Sequence, residues 1–245
     1  MKGVVFTFDD DLISHYEIVA PIFEKFGFSC TFFLNSNPRL RMWGDSPVLN
    51  REQIISLFNR GFEIGNHTYT HCLASSENIP ELKASILTLN DTLIDYGLTC
   101  PSTFCYPGYV SPSSTRERII ADTFKLARIG YAKAEKISDL DHERHNNPTF
   151  WKRGKSNYYI PNYTNRLEVP CCGLFCPAYT IDVFEEDIEK CPEEGYCVFT
   201  GHLFHSKDSD KTYHPDSVNS RFLENALQYC KDNGLKVMKF LELPV

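Results

Sequence analysis

Hydrophobic and polar positions alternate in two ways along this chain of 245 residues, as short apolar runs and as longer amphipathic stretches. The first run, residues 3–8, is rich in β-branched and aromatic residues and predicts a buried strand. The stretch 79–96 has apolar residues at helical spacing and predicts a long helix. The remaining predicted strands are 29–35, 62–66, 103–106, 125–129, 196–200 and 235–241, and the remaining predicted helices are 15–26, 50–61, 114–124, 181–190 and 217–233.

This alternation of strand and helix predicts an α/β fold with a parallel sheet and right-handed crossovers. An open doubly wound sheet and a closed barrel both fit, because periodicity does not specify whether the sheet closes. Pro21 lies inside the first helical pattern, so that helix is predicted to start or bend there. Residues 131–178 lack a sustained period and predict a long loop region with one or two short strands, one of them at 158–160. No linker divides residues 1–245, so we expect one domain.

Composition and charge exclude some classes of function. The net charge of −7 and the pI of about 5.6 leave no basic surplus for phosphates, which argues against nucleic acid as a partner. No apolar run approaches the roughly 18 residues that a membrane-spanning helix needs. The N-terminus enters a strand without a basic and apolar leader, so we expect a cytoplasmic protein. The ten cysteines are scattered among apolar positions and are expected to be buried, reduced thiols.

Polar and titratable residues follow four of the predicted strands. Because the carboxyl ends of parallel strands lie on one face of a sheet, loops there would bring these residues together. The four groups are Asp9-Asp10-Asp11, His67 with His71, the turn Tyr106-Pro107-Gly108, and His202.

A metal site is one explanation of these groups. His67 and His71 are four positions apart, so a helical turn would put both imidazoles on one side. Two histidines and a carboxylate from another strand end form a common open ligand set for one divalent metal ion. Nitrogen and oxygen donors of this kind suit zinc, and cobalt, nickel, manganese and iron also fit. The alternative is that the aspartates lie in a solvated loop or at a helix cap, where Asp11 or Ser14 would cap the following helix, and that the two histidines are exposed or capping.

The motifs and their order resemble those of the polysaccharide deacetylases, which carry the NodB-homology domain and form carbohydrate esterase family 4. The resemblance covers residues 3–240 and implies a distorted (β/α) barrel with about seven parallel strands. The motifs that carry it are Thr7-Phe8-Asp9-Asp10, His67-Thr68-Tyr69-Thr70-His71, Phe104-Cys105-Tyr106-Pro107-Gly108 and Phe199-Thr200-Gly201-His202.

The resemblance also implies roles for individual residues. Asp9 matches the family's general base, and His202 matches its general acid. Asp10, His67 and His71 match the three ligands of a single divalent metal ion, for which we expect Zn²⁺. The implied activity is removal of an N-acetyl or similar acyl group from an amino sugar or glycan, by attack of metal-bound water.

Other residues near these motifs are candidates for contact with the substrate. The backbone N–H of Gly108 or Tyr109 is expected to stabilise the oxyanion. Tyr106, Asp11 and His205 are further candidates that would line the substrate cleft.

The chain departs from the family pattern at three places. Asp11 stands where the family usually has glycine, residues 101–109 lack the arginine that orients the base, and the Asp-Trp pair of the fourth motif is not evident. Trp151 and Tyr179 are poor substitutes for that tryptophan. The candidate replacements for the arginine are Arg116, Arg118, Arg128 and Arg153.

Two other functions therefore remain open at the level of the sequence. One is hydrolysis of a C–N bond in a compound that is not a sugar, such as a cyclic amide or a formyl group, on the same barrel. The other is a barrel that binds carbohydrate without catalysis. Retention of both candidate proton-transfer residues, Asp9 and His202, argues against the second. The sequence leaves the oligomeric state open.

Overall fold

A parallel sheet forms the centre of the fold. The computed structural model describes residues 3–40, 43–44, 46–75, 77–112, 115, 119–130, 158–174, 179–206 and 217–245. Seven strands of the sheet follow the order β5-β4-β3-β2-β1-β7-β6, and β10 pairs with the amino-terminal half of β1. Their bounds are β1 Gly3–Asp9, β2 Thr31–Leu34, β3 Glu63–Asn66, β4 Thr103–Cys105, β5 Leu126–Arg128, β6 Cys172–Gly173, β7 Tyr196–Gly201 and β10 Lys236–Met238.

The sheet curls into the distorted (β/α) barrel that the family resemblance implies. β1 is its central strand, with β7 on one side and both β2 and β10 on the other. Every strand pairing in this sheet is parallel, as the alternation of strands and helices predicts. The carboxyl ends of the strands therefore lie together at one end of the barrel.

The helices lie where the amphipathic patterns predict them. Asn50 caps α2 and Gln53 completes the capping box, while Gly27 ends α1 in the left-handed conformation with φ 73°. A π-helix at His15–Val19 changes to α-helix at Ala20, one residue before Pro21, so the predicted irregularity at this proline is confirmed. The bounds are α1 Ala20–Phe26, α2 Arg51–Asn59, α3 Ile79–Asp95, α4 Ala121–Thr123, α5 Ile181–Lys190 and α6 Ser220–Asp232.

Side chains of β1 alternate between two hydrophobic cores. Val4, Phe6 and Phe8 pack in the outer core, between the sheet and the helices. Val5 packs in the inner core, inside the barrel. Since alternate residues of a strand share a face, Asp9 lies on the inner face with Val5. Cys30, Cys105, Cys197 and Cys230 are buried, as expected. The expectation of burial was wrong for Cys100, which is exposed, and for Cys72, which is half-buried.

The structure departs from the sequence predictions at short elements. Tyr159 forms an isolated antiparallel bridge with Tyr196 in place of the strand expected at 158–160. The strand expected at 235–241 ends at Met238, and a 3₁₀ turn follows. Two short strands that periodicity did not indicate, β8 Phe204–His205 and β9 Val218–Asn219, pair with each other. Of the helix expected at 114–124, α4 covers only Ala121–Thr123, and residues 114 and 116–118 lie outside the described residues. Most of the loop expected at 131–178 also lies outside them. Within the described part of the chain, no helix is long and apolar enough to cross a membrane.

Candidate active site

The expected polar residues meet where β1, β3, β4 and β7 end. Asp9 is the last residue of β1, and Asp10 follows it in a turn. His67 directly follows β3, and His202 directly follows β7. Because these strands run parallel, three segments distant in sequence bring the side chains of Asp9 and Asp10, of His67 and of His202 to one place.

Asp9 faces the barrel interior and contacts a buried arginine. The guanidinium of Arg128, on β5, donates from Nη2 to Oδ2 of Asp9. Burial raises the pKa of Asp9, but the charges of Arg128, His67 and His202 outweigh this effect and lower the pKa to about 2. Asp9 is therefore ionised at neutral pH. Its second oxygen, Oδ1, is buried and accepts no hydrogen bond from the described residues.

Arg128 is the arginine that contacts Asp9. It is the only one of the four sequence candidates within the described residues, since Arg116, Arg118 and Arg153 lie outside them. The strand pattern contained the relevant signal: Arg128 lies in the strand predicted at 125–129, one residue before its end, and it shares the inner face with Leu126. An arginine at a strand end is well placed to reach the other strand ends.

Asp10, His67 and His71 form a compact donor set. The Nε2 atoms of His67 and His71 lie 3.5 and 3.7 Å from Oδ1 of Asp10, and the donor atoms of all three residues lie within 4.8 Å of one another. The two imidazoles meet on a turn in which Thr68 and His71 have positive φ angles of 61° and 51°. The expectation of a helical turn was therefore wrong, although His67 and His71 lie close together as it required.

The donor set fits a divalent metal ion. Nδ1 of His67 lies 2.8 Å from the carbonyl oxygen of Cys105, to which it donates, so the lone pair of His67 is on Nε2 and faces Asp10. Burial and the neighbouring His67 lower the pKa of His71 to about 4, which leaves its imidazole neutral, as metal binding requires. Oδ1 of Asp10 is buried and accepts no hydrogen bond from the described residues. A cation would satisfy that oxygen.

His202 lies beside both aspartates. Its Nε2 atom is 3.7 Å from Oδ2 of Asp9 and 3.8 Å from Oδ2 of Asp10. Burial lowers the pKa of His202, and the charges of Asp10 and Asp9 offset part of this effect. His15, in the π-helix, donates from Nε2 to the backbone carbonyl of His202 over 2.8 Å. The fully buried ring of His15 thus fixes the backbone that carries His202.

Asp11 points away from the candidate metal ligands. Its carboxylate accepts backbone N–H groups of Asn35, over 2.8 Å, and of Ser36. Its φ of 55° lies in the left-handed region, which explains why glycine suits this position. Ser14 makes no side-chain cap to the following helix, and its hydroxyl instead accepts the N–H of Phe204. Asp11 therefore ties the end of β1 to the end of β2 and does not cap a helix.

The remaining candidates for substrate contact have other partners. The N–H of Tyr109 donates to the carbonyl of Tyr106 over 3.0 Å, which leaves Gly108 as the candidate for the oxyanion. The ring of Tyr106 is buried against Phe104, in the core outside β4. Nδ1 of His205 lies 2.6 Å from the hydroxyl of Ser217 and joins the segments that carry β8 and β9.

Sequence reasoning missed Trp43. This half-buried residue follows β2 in the polar loop before α2, and its indole N–H donates to Oδ2 of Asp10 over 2.7 Å. Its ring lies against His202, with 4.9 Å between ring centroids. Of the two substitutes weighed from sequence, Tyr179 is buried and donates to Asp187, and Trp151 lies outside the described residues.

Known proteins resemble this chain in sequence and in fold. The family model described as "Polysaccharide deacetylase" matches residues 1–126. No curated protein matches the sequence.

Three solved structures align with this chain, two of them over nearly its whole length. A family 4 acetyl xylan esterase from Clostridium thermocellum, in complex with a cobalt ion, aligns over 99% of this chain and 89% of its own, with 15% identity and a TM-score of 0.58. A family 4 carbohydrate esterase from Streptomyces lividans, in complex with acetate, aligns over 96% of this chain and 91% of its own, with 14% identity and a TM-score of 0.56. IcaB from Ammonifex degensii aligns over 56% of this chain and 63% of its own, with 24% identity and a TM-score of 0.47. The first two alignments show a shared fold over nearly the whole chain.

Proposed function

The chain belongs to the polysaccharide deacetylase family, and from this premise we propose that it is a metal-dependent hydrolase that removes the N-acetyl group from an amino sugar or glycan. We also propose that residues 1–245 act as one catalytic domain. The outer core supports this, because it joins residues of β1 and α1 to residues of α5 and α6.

The observation that carries the proposal is the position of the donor set beside Asp9. Asp10, His67 and His71 gather three metal-binding atoms, and Oδ1 of Asp9 is a buried acceptor without a hydrogen bond from the described residues. A divalent cation held by the three residues would polarise the acyl carbonyl and lower the pKa of a coordinated water. Zinc is the cation that we propose, and the acetyl xylan esterase of similar fold was solved with cobalt.

Asp9 is proposed to act as the general base. Arg128 engages Oδ2, so Oδ1 is the atom that accepts a proton from the attacking water. The low pKa of Asp9, about 2, keeps this oxygen ionised and available at neutral pH. The bond from Arg128 to Oδ2 restricts rotation of the carboxylate and leaves Oδ1 available to the attacking water.

His202 is proposed to act as the general acid. Hydrolysis of an amide requires a proton for the departing amine, because an amine anion is a very poor leaving group. Nε2 of His202 faces Asp9 and Asp10. Burial lowers the pKa of His202, and the charges of these aspartates offset part of that effect, so they favour the protonated ring. The backbone N–H of Gly108 is the proposed donor to the oxyanion.

A substrate panel tests the proposed activity. Acetate release is measured from N-acetylated sugar oligomers and peptidoglycan fragments, in parallel with hydrolysis of cyclic amides and formylated amines. The Asp9→Asn and His202→Ala variants are each expected to lower kcat by about 100- to 10,000-fold. Asp91→Asn, which changes an exposed carboxylate on α3, is the matched control.

The outcomes distinguish the possible functions. Release of acetate that depends on Asp9 and His202 supports the proposal. Turnover of the amides that are not sugars, without acetate release, would replace it with the alternative C–N hydrolase. Sugar binding that Asp9→Asn leaves unchanged, with no turnover of any compound, would indicate a non-catalytic barrel.

A further inference from the structure

Trp43 makes a polar contact that simple packing of its ring would not require. Its Nε1–H donates to Oδ2 of Asp10 over 2.7 Å, a distance typical of a hydrogen bond to an ionised carboxylate. Such bonds are directional and are about twice as strong as bonds between neutral groups. The loop between β2 and α2 thus reaches the candidate metal site through one indole nitrogen.

Because of this contact, the two carboxylate oxygens of Asp10 have different partners. Oδ1 faces Nε2 of His67 and of His71, at 3.5 and 3.7 Å, while Oδ2 is held by Trp43. A carboxylate without a partner on Oδ2 could rotate and present either oxygen, or both, to the imidazoles. The indole N–H therefore selects the oxygen that completes the donor set.

The same side chain also contacts the proposed general acid. The ring of Trp43 lies against the imidazole of His202, with centroids 4.9 Å apart and an angle of 41° between the planes. Asp10 and His202 come from different strands, β1 and β7, and Trp43 touches both of them. Its loop is held near the site by Asn37, whose side chain donates to the carbonyl of Tyr69 over 3.1 Å.

We propose that Trp43 is a positioning residue, which fixes Asp10 as a single-oxygen metal ligand through its N–H and holds the ring of His202 through its aromatic face. The inference rests on the proposed function, because Asp10 is a metal ligand only in that account. It assigns to the loop after β2 a contact with the metal site that the sequence motifs do not indicate.

Metal affinity tests the role of the N–H. Trp43→Phe removes the N–H and keeps an aromatic ring, whereas Trp43→Leu removes both. The affinity for Co²⁺ and Zn²⁺ is measured by calorimetry or by competition with a chelator, and the thermal midpoint of the metal-free protein is measured for each variant. We expect Trp43→Phe to weaken metal binding by about 10- to 100-fold, as loss of a group that orients a metal ligand does, with the midpoint unchanged.

Turnover at saturating metal distinguishes the contact of Trp43 with Asp10 from its contact with His202. Once the site is filled, Trp43→Phe is expected to regain most of the wild-type kcat, because its ring still packs against His202. Trp43→Leu is expected to keep a lowered kcat at the same metal occupancy. Equal kcat for the two variants at full occupancy would overturn the part of the proposal that concerns His202.

Fluorescence provides a readout that does not depend on activity. The sequence has two tryptophans, so Trp151→Phe leaves Trp43 as the single emitter. Addition of Co²⁺ is expected to quench this emission with saturation at one ion per chain, and Asp10→Asn should abolish the quenching.

Three results would contradict the inference in different ways. If the wild-type protein binds no divalent metal, the proposed function fails and the role of Trp43 fails with it. If the wild type binds metal but Trp43→Phe binds it equally tightly, only the role of Trp43 fails. Stoichiometric Co²⁺ binding that leaves the emission of Trp43 unchanged would likewise place this residue away from the metal and overturn its role alone.

Discussion

The guanidinium of Arg128, on β5, contacts the carboxylate of Asp9, on β1, inside the barrel. Both side chains are almost fully buried, and Arg128 also lies against the sulfur atoms of Cys105 and Cys171. A buried charge requires a partner, because its desolvation costs several kcal/mol. The pair thus holds a carboxylate in its ionised form at a place where burial alone would favour the protonated form.

Replacement of Arg128 tests this relationship. Arg128→Lys keeps the charge but loses the planar group, so we expect a roughly 10- to 100-fold lower kcat from misplacement of Asp9. The weaker pairing should raise the pKa of Asp9 and move the acid limb of the pH–rate profile to higher pH. The measurement is kcat as a function of pH for both proteins. An unchanged profile in the lysine variant would argue that Arg128 has no influence on Asp9.

Loss of the charge should cost stability. Arg128→Met leaves Asp9 buried without its partner, which is expected to lower the free energy of unfolding by about 3–5 kcal/mol. The double variant Asp9→Asn with Arg128→Met removes both charges and should recover part of this loss. Denaturant unfolding of the metal-free proteins gives the comparison, and full additivity of the two substitutions would contradict a direct pair.

Asp11 allows a prediction that separates backbone strain from hydrogen bonding. Asp11→Gly relieves the left-handed φ of 55° but loses the acceptors for Asn35 and Ser36, so it should destabilise the protein by about 1–3 kcal/mol. Asp11→Ala loses the same acceptors and keeps the strain, which adds roughly 1 kcal/mol. We therefore expect stability to fall from wild type to Asp11→Gly to Asp11→Ala in denaturant unfolding. An alanine variant as stable as the glycine variant would show that strain at this residue is unimportant.

His15 predicts a specific dependence of stability on pH. Burial lowers its pKa to about 4 from the ordinary 6.5, with the bond to the carbonyl of His202 offsetting part of the effect. The unfolded chain therefore takes up a proton first as the pH falls. The contribution of His15 to the free energy of unfolding is fully present above pH 6.5. It should be lost as the pH falls towards 4, and the loss should reach about 3 kcal/mol.

His15→Gln isolates that contribution. The glutamine amide can donate to the same carbonyl of His202 but does not titrate. The free energy of unfolding of the metal-free proteins is measured between pH 7.5 and 4.5, and the variant should lose clearly less stability than the wild type over this range. Parallel curves for the two proteins would show that His15 is not buried in its neutral form.

Much of the fold could be predicted because its strands and helices have strong periodicity. The convergence of Asp10 with His67 and His71 followed from parallel strands, whose carboxyl ends share one face. The same reasoning could have selected Arg128, since this residue lies near the end of the strand predicted at 125–129.

The remaining features depend on loop paths that no periodicity specifies. Trp43 reaches Asp10 only because of the course of the chain between β2 and α2. The turn from His67 to His71 depends on positive φ angles at Thr68 and His71. Threonine and histidine do not by themselves predict a left-handed conformation. The role of Asp11 required the position of the partner loop at Asn35.

Metal reconstitution is the most direct test of metal-dependent deacetylation by this protein. The protein is stripped with a chelator, and Zn²⁺ or Co²⁺ is added back while acetate release from an N-acetylated sugar oligomer is followed, with Asp10→Asn and the control Asp91→Asn in parallel. We expect no release from the stripped protein and full release at a single metal ion per chain, in the wild type and the control but not in Asp10→Asn. Undiminished release from the stripped protein, or no release from any N-acetylated sugar after the metal is bound, would contradict it.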